Sequence, residues 1–177
     1  MNDFGVITAP DTVQITRRLP GPIERVWAYL TDADKRRQWL AGGPMELRSG
    51  GAITLTFHNS ELTGNDGTPP PKYEAHGCQM EMNASVLDCE PPHRLRHTWG
   101  GDSEVCFTLA TDGDEVVLEV THTRIASRDM MLSVSAGWHT HLDILVARLT
   151  DTAPPGFWPR HTALEAAYDQ RIPSTTG

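Results

Sequence analysis

Hydrophobic and polar residues alternate along the run TVQITRRL, residues 12–19, and this period of two predicts a first strand. Pro-Gly-Pro at residues 20–22 then breaks the run. Beyond the break, apolar residues recur at helical spacing, which predicts one short helix from Pro22 and a second over residues 33–40. The chain therefore opens with one strand and two short helices.

The period of two returns after the glycines and proline at residues 42–44. MELRS and AITLTFH, joined by a Gly-Gly turn, predict two strands, and the glycine- and proline-rich residues 59–71 predict a flexible loop. A long, half-buried strand is predicted next over residues 74–86. Its apolar face would hold His76, Cys78, Met80, Met82, Ala84 and Val86.

Three further strands and a long helix complete the pattern. Strands are predicted over residues 94–99, 104–110 and 115–124, and the short turns between them favour antiparallel pairing. From Ser127 to Thr150, apolar residues form a helical stripe long enough to cover one hydrophobic face of a sheet. We therefore predict an α+β fold in which a curved antiparallel sheet of six to seven strands grips a long C-terminal α-helix, with two short helices after the first strand.

The predicted domain spans residues 13–150, between an N-terminal extension, residues 1–12, and a C-terminal extension, residues 151–177. The C-terminal extension begins with a Pro-Pro-Gly break and contains a short amphipathic helix, His161 to Arg171. The Phe-Trp pair after the break would be costly to expose to water. We expect this pair to dock on the body of the domain, and the alternative is that it forms part of a dimer or partner surface.

Composition and charge limit the partners of the protein. The content of 38% hydrophobic and 21% charged residues is typical of a globular chain. An excess of 23 acidic over 15 basic residues gives a formal charge of -8, which repels phosphate backbones, so we expect no nucleic-acid partner. No apolar run approaches the roughly 20 residues of a membrane span, and the N-terminus lacks a signal-peptide pattern. We therefore expect no membrane span and a cytoplasmic location.

Four stretches, in this order, resemble those of one protein superfamily: RLPGPIERVWAYLTDADKRRQWL, EPPHRLRHTW, VTHTRI and AGWHTHLDILVARL. Together they reach from about residue 13 to residue 150, and they are similar to the helix-grip, START-like (SRPBCC) proteins. The branch they resemble most is the C-terminal domain of activators of the heat-shock protein 90 ATPase. The resemblance implies a cavity for lipids or other apolar molecules in many members, client or partner binding in others, and catalysis in a few, such as aromatase/cyclases.

Three histidines are candidates for a role inside the domain. His139 and His141 lie two residues apart in GWHTHLD, so on a helix they point about 200° apart and do not chelate one metal ion. The apolar stripe places His141 inward and His139 toward solvent. His122 continues the apolar strand face of Val116, Leu118 and Val120. For His141, a hydrogen bond at the edge of the core and a contact to a ligand both remain open.

Metal, nucleotide and thiol chemistry receive little support. His93 and His97 share a predicted strand face, but no third ligand accompanies them. The glycine pairs match no phosphate-binding motif, and the three cysteines have neither CxxC spacing nor a basic neighbourhood that would activate a thiolate. We therefore predict no metal, no cofactor and no nominated catalytic residue.

The leading hypothesis is a cavity between sheet and helix that binds a small, largely apolar molecule, such as a lipid or an aromatic polyketide-like compound. A protein-interaction module with a packed interior and a cyclase- or hydrolase-like enzyme are the alternatives. A cavity of several hundred cubic ångströms favours the first or the last. We also expect a monomer or weak homodimer, with a protein partner as a further option. The predicted ligand-binding residues are Trp39, Leu55, Phe57, Met80, Met82, Trp99, Phe107, His122, Trp138 and His141.

Overall fold

The computed structural model describes residues 3–174. Its strands are β1 Val6–Ala9, β2 Thr12–Pro20, β3 Ala52–Phe57, β4 Met80–Glu90, β5 Arg94–Trp99, β6 Ser103–Asp112 and β7 Glu115–Thr123. Its helices are α1 Ile23–Thr31, α2 Ala33–Arg36, α3 Arg128–Thr150 and α4 Phe157–Arg171, with 3₁₀ turns at Asn59–Glu61 and Pro71–His76. Within these described residues, seven strands form one antiparallel sheet in the order β1-β2-β7-β6-β5-β4-β3. The predicted α+β fold is confirmed.

The inner face of the sheet carries the core in rows that run across the strands. Ile15 pairs with Val120, Val120 with Phe107, and Phe107 with Leu95, and all four side chains are buried. The next row holds two polar residues, because His122 pairs with Val13 and Val105, and Val105 pairs with His97. The alternation of β2, β5, β6 and β7 thus turns two histidines toward α3.

Helix α3 lies over the inner face and begins where the sequence predicts. The Ser127 hydroxyl caps it by accepting a hydrogen bond from the Met130 amide at 3.1 Å. The helix ends at Thr150, and the φ of 53° at the following residue, Asp151, turns the backbone out of the helix. Its other side is covered by α4, and the aromatic pair Phe157 and Trp158 is buried, so the C-terminal extension docks on the body of the domain.

Two predicted elements near the start of the sheet are wrong. MELRS, residues 45–49, does not form a strand: Gly43 turns the backbone at a φ of 98° just before it, and the segment makes one isolated bridge to β3, from Met45 to Ile53. The second helix stops at Arg36 instead of residue 40. There the hydrogen bonds shorten to three residues, from the Gln38 amide to Lys35 and from the Trp39 amide to Arg36. The turn carries the Trp39 ring into the core, where its indole N–H donates to the Tyr29 carbonyl at 2.8 Å.

Two other boundaries also differ from the prediction. The long strand begins at Met80 rather than residue 74, because residues 71–76 form a 3₁₀ turn that starts at a proline. His76 and Cys78 therefore do not belong to the strand face. At the other end of the sheet, residues 6–9, which the sequence leaves in an extension, form β1 against β2.

Candidate ligand cavity

A cavity of about 160 Å³ lies between α3, the β3–β5 end of the sheet and α4. Six of the predicted residues line it: Phe57, Met80, Met82, Trp99, Trp138 and His141. The volume is below the several hundred cubic ångströms expected for a drug-sized ligand. It is close to that of an apolar cavity that accommodates benzene. Its rim consists of the half-buried residues, and the remaining wall is buried. The half-buried residues are His76, Met80, Met82, Trp99, Ser133, Val134 and Gly137.

The other four predicted residues lie in the core beside this cavity and do not line it. Trp39 and Leu55 are fully buried. The Phe107 ring meets the edge of Trp138 at a centroid distance of 5.6 Å. His122 faces inward as predicted, but its Nδ1 accepts a hydrogen bond from the Trp138 indole N–H at 2.9 Å. These four residues therefore belong to the core that lies behind the cavity wall.

Trp138 is the central ring of the wall. Its centroid lies 4.9 Å from that of Trp99, and the bond to His122 fixes its orientation. Because Nδ1 of His122 accepts, the proton of the neutral imidazole is at Nε2. Burial lowers the pKa of His122 to about 4, with a smaller contribution from His97. The ring is therefore neutral at pH 7.

His141 makes the hydrogen bond at the edge of the core that was one of the two predicted possibilities, and it also lines the cavity. Its Nδ1 donates to the Trp39 carbonyl at 2.8 Å, since a carbonyl oxygen only accepts, and Nε2 is then an acceptor. Burial lowers the pKa of His141 to about 4. The ring also lines the cavity and lies 4.9 Å from the Phe157 ring, centroid to centroid. One side chain thus satisfies a core carbonyl and presents a face to the cavity.

The remaining wall residues were not predicted as a site. The connecting segment, residues 58–79 between β3 and β4, contributes Asn59, Tyr73 and His76. Helix α4 contributes Phe157, Trp158 and His161, and α3 adds Ser133, Val134 and Gly137. The sequence did contain a signal for this part of the wall, namely the Phe-Trp pair of the C-terminal extension, because burial of that pair requires a surface on the domain. One polar atom of this wall, Asn59 Oδ1, is buried and makes no hydrogen bond.

Asp66 joins the connecting segment to α4. Its carboxylate accepts from the Thr63 amide at 2.8 Å and from the Phe157 amide at 3.0 Å, while its carbonyl accepts from the Trp158 amide at 3.0 Å. The Trp158 indole N–H donates to the Ser60 hydroxyl at 2.9 Å. The carboxylate therefore satisfies an amide at the start of α4 and holds the outer wall of the cavity together.

The substitution Asp66→Ala should detach the connecting segment from α4. Loss of hydrogen bonds to a buried charged group is expected to lower the local opening free energy by about 2 kcal/mol. Amide exchange of residues 58–79 and of the first turn of α4 should then be about 30-fold faster, while β7 changes little. Hydrogen exchange followed by NMR measures this. Glu61→Ala, an exposed carboxylate of the same segment, is the control, and equal acceleration in the sheet would contradict the local role.

His139 does not face solvent, contrary to the prediction, because α3 is covered on two sides. Its side chain is 1% exposed, beneath Phe4 and Tyr168. The Tyr168 hydroxyl accepts from the Gly5 amide at 2.7 Å, so its proton is directed to His139 Nδ1 at 2.9 Å. Burial lowers the pKa of His139 to about 4, against the opposing effect of Asp143. The ring belongs to a buried polar network.

This network borders a second, wider cleft of about 710 Å³ on the side of α3 away from the cavity. Each of its three arginines, Arg17, Arg18 and Arg160, is already paired with a carboxylate. The Asp143 carboxylate accepts a hydrogen bond from Arg160 Nε at 2.8 Å, and its Oδ1 lies 3.5 Å from Arg17 Nη2. The Arg17 side chain is 6% exposed. Because the opposed charges are already paired and the cleft is open, the smaller aromatic cavity is the better candidate for a ligand site.

The two histidines considered as metal ligands are separated by the structure. His93 is an exposed turn residue, whereas His97 is buried and donates Nδ1–H to the Thr98 carbonyl at 2.7 Å. Over residues 3–174, no three His, Cys, Asp or Glu side chains are grouped closely enough to hold a metal ion. In the same part of the chain, every helix is too short or too polar to span a bilayer.

Comparisons with known proteins identify a matching family and solved structures that share this fold. The family model "Activator of Hsp90 ATPase homolog 1-like protein" matches residues 20–150. A Bordetella parapertussis protein solved by NMR is 42% identical, with a TM-score of 0.81 over 98% of this chain and 93% of its own. CalU16 from Micromonospora echinospora is 26% identical, with a TM-score of 0.64 over 90% of this chain and 86% of its own. The Aha1 dimer from Colwellia psychrerythraea, 17% identical, shares the fold with a TM-score of 0.58 over 78% of this chain and 95% of its own. No curated protein sequence matches.

Proposed function

The chain belongs to the family of activator of Hsp90 ATPase homologue 1-like proteins, and from this membership we propose that it binds a small, largely apolar molecule in the cavity between sheet and α3. The proposal is carried by one observation, a glycine in the middle of α3 at the cavity wall. Trp99, Trp138 and Phe57 supply the apolar contacts, and His141 supplies a polar one.

Gly137 lies in the interior of the 23-residue helix α3 and lines the cavity. Glycine in a helix interior is less stable than alanine by about 1 kcal/mol. A Cβ added here would meet no atom within 4 Å, so packing does not require the glycine. Nor does the backbone, because the residue is helical and has no positive φ. The position keeps space open at a cost in stability, which supports a role for that space.

The size of the cavity limits the ligand. About 160 Å³ suits one six-membered ring with a small substituent. A fatty acid or a fused-ring compound would require displacement of the connecting segment, whose outer wall is held by Asp66. The proposed ligand class is therefore a single-ring or similarly compact apolar molecule.

Substitution of Gly137 tests the proposal. Toluene should bind the wild-type protein with a dissociation constant below about 1 mM, shifting the NMR signals of the Trp99 and Trp138 indoles and the Gly137 amide. Gly137→Ala should raise the free energy of unfolding by about 0.5–1 kcal/mol and weaken toluene binding about 3- to 10-fold. Gly137→Leu, which fills the space, should weaken it about 100-fold.

Thr162→Ala is the matched control, since it improves helix propensity at an exposed position of α4. It should raise stability slightly and leave toluene binding unchanged. If no compact apolar compound shifts these resonances, the cavity is not a binding site, and the alternative of a protein-interaction module becomes the function to test. If Gly137→Leu binds toluene as tightly as the wild type, the ligand lies elsewhere.

A further inference from the structure

The cavity opens along one side of α3, and the exposure of the residues on that side increases toward the start of the helix. His141 is 6% exposed, Gly137 and Val134 are half-buried, and Met130 is 48% exposed. The first three of these residues line the cavity. The gradient indicates that the mouth of the cavity faces the N-terminal end of α3.

Met130 lies on the same side of α3, just beyond the cavity wall. It precedes Gly137 by seven residues, or about two turns, so the two positions point in directions about 20° apart and are separated by about 10 Å along the helix. It precedes Val134 by four residues, which makes the two side chains neighbours on the helix surface. The row of α3 residues that lines the cavity therefore continues past its rim to Met130.

Across the mouth, β4 supplies two further apolar side chains. Met80 and Met82 alternate with exposed residues, so both point to the inner face of the sheet, and both are half-buried at the rim. Together with Val134 and Met130 they form an apolar strip that leads from the cavity to solvent. Three of its four members are methionines, whose unbranched side chains adapt to the shape of a bound molecule.

The apolar strip is too small to serve as a protein-binding surface. Among residues 3–174, the exposed large hydrophobic residues are Val6, Leu47 and Met130, and Val6 lies on β1 at the opposite edge of the sheet from β3. A stable protein interface buries about 800 Å² on each partner. Lys72, which reaches the first turn of α3, is already paired with two carboxylates at 2.8 and 2.7 Å and does not attract an anionic group. A narrow, uncharged strip that continues a cavity fits the chain of a small molecule.

The volume of the cavity limits the ring of the ligand but not a substituent that passes through the mouth. Resting on the proposed function, we propose that the ligand is a single ring bearing an unbranched alkyl chain, with the ring in the cavity and the chain along the apolar strip to Met130. The distance of about 10 Å from Gly137 to Met130 corresponds to an extended chain of about eight carbons. The connecting segment stays in place, because the chain leaves between α3 and β4.

Phenylalkanols with four, six and eight methylene groups test the length of the strip, because a terminal hydroxyl keeps them soluble. NMR titration of the full chain should show affinity increasing about 2-fold per methylene, since a half-buried methylene contributes about half of the transfer free energy of a buried one. With the methionine methyl groups labelled with carbon-13, the six-methylene compound should shift the Met130 signal, whereas toluene should not. Met45, which does not line the cavity, is the internal reference.

Met130→Gln removes the apolar end of the strip while keeping the length of the side chain and a high helix propensity. It should weaken binding of the six- and eight-methylene compounds about 5-fold and change toluene binding by less than about 2-fold. Val6→Thr is the matched control, since it makes another exposed apolar residue polar on a distant strand. It should leave the dissociation constants of all these compounds unchanged.

The outcomes separate this proposal from the proposed function. If neither toluene nor any phenylalkanol binds, the proposed function itself fails. If toluene binds and affinity does not depend on chain length, cavity binding stands and the role of the apolar strip is wrong. An increase with chain length that survives Met130→Gln, without a shift of the Met130 methyl signal in the wild type, would place the chain elsewhere and overturn the assignment of the strip.

Discussion

Lowering the pH from 7 to 4.5 is expected to remove most of the free energy of unfolding. His97, His122, His139 and His141 are all buried, and burial lowers the pKa of each to about 4. An unfolded histidine has a pKa near 6.5. Between these values the unfolded chain binds more protons than the folded chain, so stability falls as the pH falls. Above pH 6.5 the contribution is complete.

Each of these histidines should remove about 2 kcal/mol of stability between pH 7 and pH 4.5, at a slope of about 1.4 kcal/mol per pH unit. Four together amount to about 8–10 kcal/mol, comparable with the whole stability of an ordinary domain. His161, whose pKa is also lowered by burial, acts in the same direction. The protein should therefore unfold in mildly acidic solution, well above the pH at which carboxylates alone would cause it.

Urea denaturation at several pH values measures the slope. His122→Asn offers an amide oxygen as acceptor for the Trp138 indole and no titrating ring, so it should reduce the slope by about 1.4 kcal/mol per pH unit. Val120→Ala, on the same strand face, should lower stability equally at every pH. A pH-independent free energy of unfolding between pH 6.5 and 4.5 would contradict the assignment of neutral buried imidazoles.

Asp143→Ala is expected to lower the free energy of unfolding by about 3–5 kcal/mol, because it leaves Arg17 buried without a carboxylate. The Arg17 guanidinium would keep only the carbonyls of Asp3 and Thr16. Arg160 and His139 lose the same partner. For a chain of this length, the loss corresponds to a decrease in melting temperature of about 10 °C.

A double-mutant cycle separates the ion pair from the loss of the side chain. Replacing Arg17 by Met in the Asp143→Ala background removes the buried charge, so the double variant should recover much of the lost stability. Asp34→Ala removes an exposed carboxylate paired with Arg37 and should change stability by less than about 0.5 kcal/mol. Additive losses in the cycle would show that Asp143 does not compensate Arg17.

The sequence predicts which side of a strand or helix is buried, but it does not predict which residues of other elements form hydrogen bonds with that side. The period of two on β4 and the helical stripe of α3 predict that Met80, Met82 and Trp138 share an interior, and the cavity contains all three. The same reasoning places His122 inward but does not show that the Trp138 indole occupies its Nδ1. A hydrogen-bond partner from another element leaves no trace in the periodicity of either one.

The outer wall of the cavity could not be predicted for a related reason. Asn59 and Tyr73 lie in an irregular segment without periodicity, and His161 reaches the cavity only because α4 folds back on α3. His139 shows the same effect. A helical stripe assigns one buried face, but α4 and the N-terminal residues bury a second one. Tertiary docking thus determined the polar half of the candidate site.

Gly137 also predicts how the cavity should differ among homologous proteins. A single base change converts a glycine codon to an alanine codon, and nothing around Gly137 obstructs the added methyl. Drift toward a more stable helix should therefore replace this glycine wherever the cavity has lost its use. Among members of the family, glycine at this position would mark the lineages in which selection still keeps the cavity open, and alanine or larger residues those in which it has closed.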